Sequence, residues 1–125
     1  HGKEAQIEQF KIQLKNDIEQ VAPNYGSVKV KSYNTYGITK VCFGDTKYSD
    51  PFAPNCDQPG DYPLIQNGLS AGSANVFLIQ PAGLDSVTIS SVYLGGCEIE
   101  CFDAPSGKLQ IKITGEGDKS LIEKV

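Results

Sequence analysis

Gly95-Gly96-Cys97-Glu98-Ile99-Glu100-Cys101-Phe102 is the stretch whose reading decides the fold. Read as a strand, it sends Cys97, Ile99 and Cys101 to one face and Glu98, Glu100 and Phe102 to the other. Residues four apart on an extended strand lie about 13 Å apart, far beyond the roughly 4.4 to 6.8 Å between Cα atoms that a disulfide spans. Cys97 and Cys101 each need a partner elsewhere, and Cys42 and Cys56 are the remaining cysteines. Two disulfides are expected, and the residues alone leave both cross-pairings open. The spacing of the four lacks the C-x2-C knuckles of a structural zinc site.

Working outward, Lys108 to Thr114 alternates Leu109, Ile111 and Ile113 with Lys108, Gln110 and Lys112, a half-buried strand. Asp103 to Gly107 before it reads as a hairpin loop, Gly115 to Asp118 after it as a turn, and Ser120 to Val125 as a last edge strand. Upstream, Ala74 to Gln80 is apolar on both faces and reads as a buried central strand. Val87 to Leu94 alternates only if a bulge falls at Ser90 and Ser91. Ile38 to Phe43 has apolar residues on both faces, and Ser27 to Tyr33 sets Val28 and Val30 opposite Lys29 and Lys31. Short strands at this spacing predict an antiparallel β-sandwich over residues 27–125.

Residues 1–26 read differently. Ile7, Phe10, Leu14, Ile18 and Val21 recur at helical spacing from Lys3 to Ala22, with charged and amide residues around them and Pro23 as the stop. A mainly β fold, disulfide-stapled and preceded by one long amphipathic helix, is therefore expected. Two roles are open for the stripe. It lies on the sheet, or it is the lower part of a longer helix whose upper part is an anchor, in which case these five residues form an assembly face. Residues 44–72, with four prolines and several aspartates, read as a long irregular loop, extended in part at Tyr62 to Ile65 and tethered by Cys56. A ligand site, if the chain has one, is expected there.

Composition excludes more than it assigns. The 125 residues make one domain with a core of its own. A net charge of −4, with lysine supplying every basic side chain, argues against nucleic acid as a partner. His1 is the only histidine, so neither a Ser/His/Asp nor a Cys/His set can be assembled around a central base, and no enzyme is expected. A start at His1 fits a processed chain, with any signal or anchor lying outside this sequence. Glu98 and Glu100 share a strand face in the manner of solvated residues, not of a glycosidase pair. Asp45, Asp50, Asp57 and Asp61 are candidate calcium ligands without the D-x-D-x-D-G spacing, and no cofactor signature is present. The six tyrosines are scattered, with half-burial on the sheets as the plainer reading and a glycan surface as the other.

KVCF at Lys40 to Phe43, NVFLI at Asn75 to Ile79, and Cys101 shortly before GKLQIKITGEGD at Gly107 to Asp118, all behind a helix, resemble small archaeal exported proteins of type IV pilin-like plan. That resemblance implies an extracellular or cell-surface structural subunit, contributing to a filament or surface assembly through self-association or contact with other surface proteins. A membrane contact would run only through an N-terminal anchor. It also implies pairing of Cys42 with Cys101 and of Cys56 with Cys97. The alternative is a secreted ligand-binding module, for glycan or calcium, using the 44–72 loop.

Overall fold

The computed structural model describes residues 2–125. His1, the only histidine of the sequence, lies outside them. Helix α1 (Gly2–Val21) is followed by strands β1 (Val28–Asn34) and β2 (Lys40–Gly44), then a 3-10 turn (Pro59–Asp61) and helix α2 (Pro63–Ala71). Strands β3 (Val76–Gln80), β4 (Gly83–Val87), β5 (Val92–Tyr93), β6 (Ile99–Asp103), β7 (Lys108–Gly115) and β8 (Ser120–Glu123) complete the chain. They form two four-stranded sheets, in the orders β1-β7-β8-β5 and β4-β3-β2-β6. The pairs are antiparallel except for the short parallel contact of β5 with β8.

The main core lies between the sheets and takes in α1. Ile7, Phe10, Leu14, Ile18 and Val21 meet Leu109, Ile111 and Ile113 of the first sheet and Val41, Phe43, Val76 and Leu78 of the second. The helix stripe is thus spent inside the domain, with Phe10 at 1% and Leu14 at 0% exposure, and offers no face for assembly. Polar ties fix the helix: Tyr33 donates its hydroxyl to Asp17 Oδ2 at 2.7 Å, and Lys11 bridges Glu8 at 2.6 Å and Asp85 of β4 at 3.2 Å. Desolvation, then the Asp17 carboxylate, push the Tyr33 hydroxyl well above its ordinary range.

A second, smaller core covers the other face of the β4-β3-β2-β6 sheet. Cys42, Phe77, Ile99 and Cys101 pack there beneath Ile65 of α2, with Tyr62 and Leu69 at the margin. This sheet is covered on both faces, as the unbroken apolar runs of β2 and β3 require. α2 replaces the extended piece expected at Tyr62 to Ile65. Pro63 occupies its first turn and Gly72 closes it with φ +71, a proline-start and glycine-stop pattern. It approaches closely because Gly68 has no Cβ where the Phe77 ring lies.

Four local expectations change. Val28 and Val30 point outward, at 52% and 54% exposure, while β7 pairs Lys29 with Ile113, Lys31 with Ile111 and Tyr33 with Leu109 on the inner side. The Gly26 amide to Gly115 carbonyl bond and the Gly115 amide to Ser27 carbonyl bond set this register as the chain leaves α1. Ser90 and Ser91 are not a bulge within one strand but the crossing from β4 in one sheet to β5 in the other, with Ser91 at φ 69. Asp103 to Gly107 likewise crosses between sheets instead of closing a hairpin, and β8 lies inside its sheet because β5 flanks it.

The quoted stretch also divides. Gly95 and Gly96 are left-handed, at φ 68 and 103, and β6 begins only at Ile99. Cys97 therefore falls into the main core while Cys101 faces α2. Cys42 bonds Cys101, its register partner on the neighbouring strand, and Cys56 bonds Cys97, with sequence separations of 59 and 41.

Candidate functional site

The four aspartates singled out in the 44–72 segment do not gather at one point: Asp50 and Asp57 line one cleft with Glu98, and Asp45 lines another. Asp45 follows β2, its backbone amide bonded to the Glu98 carbonyl at 2.9 Å. Asp50 Oδ1 accepts the Phe52 N–H at 2.9 Å, and Asp57 Oδ2 accepts the Cys101 N–H of edge strand β6 at 2.7 Å. Asp61 ends the exposed 3-10 turn. The last three stand apart from Asp45, and two of them hold backbone. Among the described residues, the one trio of metal-ligand type within 4.8 Å is Cys56, Cys97 and Glu100, and both of its sulfurs are committed to a disulfide. Glu100 itself is half-buried beside Lys124 at 3.9 Å, and desolvation, with the Asp57 charge added, raises its carboxyl above the ordinary value.

A cleft of about 420 Å³ opens where the start of that segment meets the β4–β5 crossing. Its walls are the Gly44–Tyr48 turn, Leu69 and Gly72 at the end of α2, Ala74 and Asn75, residues 88–92, and Asp118. Each wall is held in place. Asn75 clasps the crossing by donating Nδ2 to the Ile89 carbonyl at 2.7 Å and accepting the Ile89 N–H at 2.8 Å. Ser90 donates both its N–H and its hydroxyl to Glu19 Oε2 of α1, at 2.9 and 2.7 Å. Ser91 accepts the Ser120 N–H through its carbonyl at 2.6 Å. The Glu19 carboxyl, raised by burial, is carried below its ordinary value by these two Ser90 bonds and by Lys15.

Asp45 sits in this cleft wall at 5% exposure. Its Oδ1 accepts the N–H groups of Lys47 and Tyr48, each at 3.0 Å, which folds the turn. Its Oδ2 is buried and has no hydrogen-bond partner. Desolvation raises the carboxyl above its ordinary value, outweighing the backbone N–H groups of Tyr48, Lys47 and Leu94 and the charge of Lys119 that pull it down. At the rim, Tyr48 and Tyr93 meet edge to face at 5.9 Å, and Lys119 Nζ lies 4.8 Å from the centre of one ring and 5.1 Å from the other. Lys47 Nζ stands 5.2 Å from the Tyr48 ring centre, and Lys119 also bonds Asp118 at 3.2 Å.

Of the residues at this cleft and its rim, sequence reasoning singled out Asp45 as a candidate calcium ligand and Tyr48 and Tyr93 among the six tyrosines. It did not single out Asn75, Ser90, Ser91 or Lys119 for a site, and these reach the cleft or its rim only through the stacking of the two sheets. The sequence carries one local sign of this, the broken alternation at Ser90 and Ser91. Comparison of the chain with protein-family models, with curated proteins and with solved structures finds no match.

Proposed function

We propose that this chain is the head of an exported surface subunit, structural in role and pilin-like in plan, in which α1 joins a disulfide-bonded β-sandwich to the cell surface. The observation that supports this reading is the seating of α1. Its apolar stripe from Ile7 to Val21 is locked into the main core, while residues 2–6 remain exposed. A helix so seated moves as one body with the sheets, so a segment attached ahead of it would hold and orient the whole head. Two disulfides are the chemistry of an oxidising compartment and resist unfolding where no chaperone is at hand. No helix among the described residues is long and apolar enough to cross a membrane, so anchoring in this reading falls to an apolar segment ahead of α1.

Because the helix stripe is internal, contact with neighbouring subunits falls to surfaces the sheets leave open. The exposed Val28 and Val30 on edge strand β1 are the first of these. The test is fractionation of the cells that make the protein, with intact mass measured before and after reduction. The expected species is in a membrane or filament fraction, is heavier than this chain by an apolar segment, and gains about 4 Da on reduction. Recovery in the cytosol with free thiols overturns the proposal. In assembled material, replacing Val28 and Val30 with glutamate is expected to dissolve contacts while the head stays folded.

A further inference from the structure

The cleft beside Asp45 contains an acceptor that the fold leaves without a full hydrogen bond: the Leu94 N–H acts on the carboxyl, but Oδ2 has no hydrogen-bond partner. Oδ1 is fully used by the Lys47 and Tyr48 amides, and Oδ2 is buried and unpaired in a residue 5% exposed. A dry, unpartnered carboxylate oxygen carries a desolvation penalty that asparagine or serine would largely avoid in the same turn. We propose that the cleft binds one ring of a neutral polyhydroxyl ligand, a glycan residue, with Asp45 Oδ2 accepting one of its hydroxyls.

The surroundings favour that chemistry over charged ligands. A volume of about 420 Å³ lies within the range of small-molecule sites, roughly 300 to 1,000 Å³. Leu69, Ile89 and Val92 offer apolar wall for C–H faces, and Tyr48 and Ser91 offer hydroxyls. A metal cation would have to enter beside Lys47 and Lys119, the second of which already acts on Asp45. Calcium also requires six to eight oxygens, and the described residues gather no carboxylate trio here. An anion would meet Asp45 and Asp118. A neutral hydroxyl ligand incurs neither repulsion. Oδ2 is buried in the free protein, so the wall around it must yield as the ligand enters, and the Lys47 and Tyr48 amides, bonded to the other oxygen of the same carboxylate, are the readout.

The experiment is an amide NMR titration of the oxidised chain with the methyl glycosides of glucose, galactose, mannose and N-acetylglucosamine, and separately with calcium chloride and inorganic phosphate. One glycoside is expected to move the Lys47 and Tyr48 amides saturably, with a dissociation constant on the order of 1 mM. Asp45→Asn, which places a donor where Oδ2 lies, is expected to weaken that binding roughly tenfold. No response to any glycoside up to about 50 mM overturns the proposal. So does a response of the same amides to calcium or phosphate alone, or an Asp45→Asn protein that binds as the parent does. If Asp45→Asn does not fold, the parent protein still decides. Contacts from glycoside ring protons to the Leu69 and Ile89 methyls support the site, and their absence removes it.

Discussion

Asp45 holds a proton more tightly in the folded chain than in the unfolded one, because burial outweighs the bonds to its Oδ1. From the ordinary value of 3.8 up to the raised folded value, the folded state therefore binds more protons, and stability falls as pH rises through that window. Glu100 acts in the same direction and Glu19 in the opposite one, so the difference between variant and parent is the informative quantity. Asp45→Asn keeps an oxygen for the Lys47 and Tyr48 amides. It is expected to flatten the decline in denaturation midpoint across mildly acidic pH, and an unchanged slope would show that Asp45 is not the group involved. Gly115 is the other residue on which much depends. A Cβ there would run into the backbone carbonyls of Val21 and Asn24 at the end of α1, which peptide atoms cannot yield as a side chain does. Gly115→Ala is expected to cost about 3 kcal/mol by urea denaturation, against a fraction of that for alanine at Gly83, where nothing lies within 4 Å.

At the scale of elements, α1 behaves as a core component. Leu14→Ala removes a fully buried side chain between the helix and both sheets, with an expected loss of about 3 kcal/mol. Phe10→Asp, which also breaks the edge-to-face contact with Tyr33 at 5.6 Å, is expected to abolish folding of the head and not merely its assembly. Ile12→Asp, at a position 59% exposed, is expected to stay within about 0.5 kcal/mol of the parent. Circular dichroism melts of the three distinguish a packed helix from a projecting one. β1 shows how weakly alternation fixes a phase at a sheet edge. Val28 and Val30 would bury readily, yet Tyr33 takes the inner side because its ring meets Phe10 and its hydroxyl meets Asp17. The lysines on the same side keep their heads in water by extending their stems.

For the whole molecule, each disulfide closes a different problem. Cys42–Cys101 staples two neighbouring strands within one sheet, under α2. Cys56–Cys97 ties the long segment after β2 to the chain entering β6. The closed loops of 59 and 41 residues each remove about 4 kcal/mol of chain entropy from the unfolded state. Replacing Cys56 and Cys97 with serine is expected to lower stability by about that amount and to raise protease sensitivity between residues 46 and 62, with the sheets intact. Cleavage mapped to β2 or β3 instead would mean that the bridge holds the sandwich as a whole.

Local chemistry determined much of this in advance. The stripe from Ile7 to Val21, the stop at Pro23, the inward face of β7 and the double-sided runs of β2 and β3 are set by side-chain periodicity and by the backbone rules for proline. They are therefore legible in one dimension. The need of Cys97 and Cys101 for partners elsewhere also follows from the reach of a strand. What tertiary structure alone decided is where neighbouring segments separate. Gly95 and Gly96 turn Cys97 away from Cys101, Ser90 and Ser91 carry the chain between sheets, and α2 forms over a face that the sequence shows only as apolar. The cleft belongs to this second class. Asp45, Asn75, Ser91 and Asp118 are far apart in sequence, and only the stacking of two sheets places them around one volume. Periodicity records which side of an element is buried, but not which other element covers it.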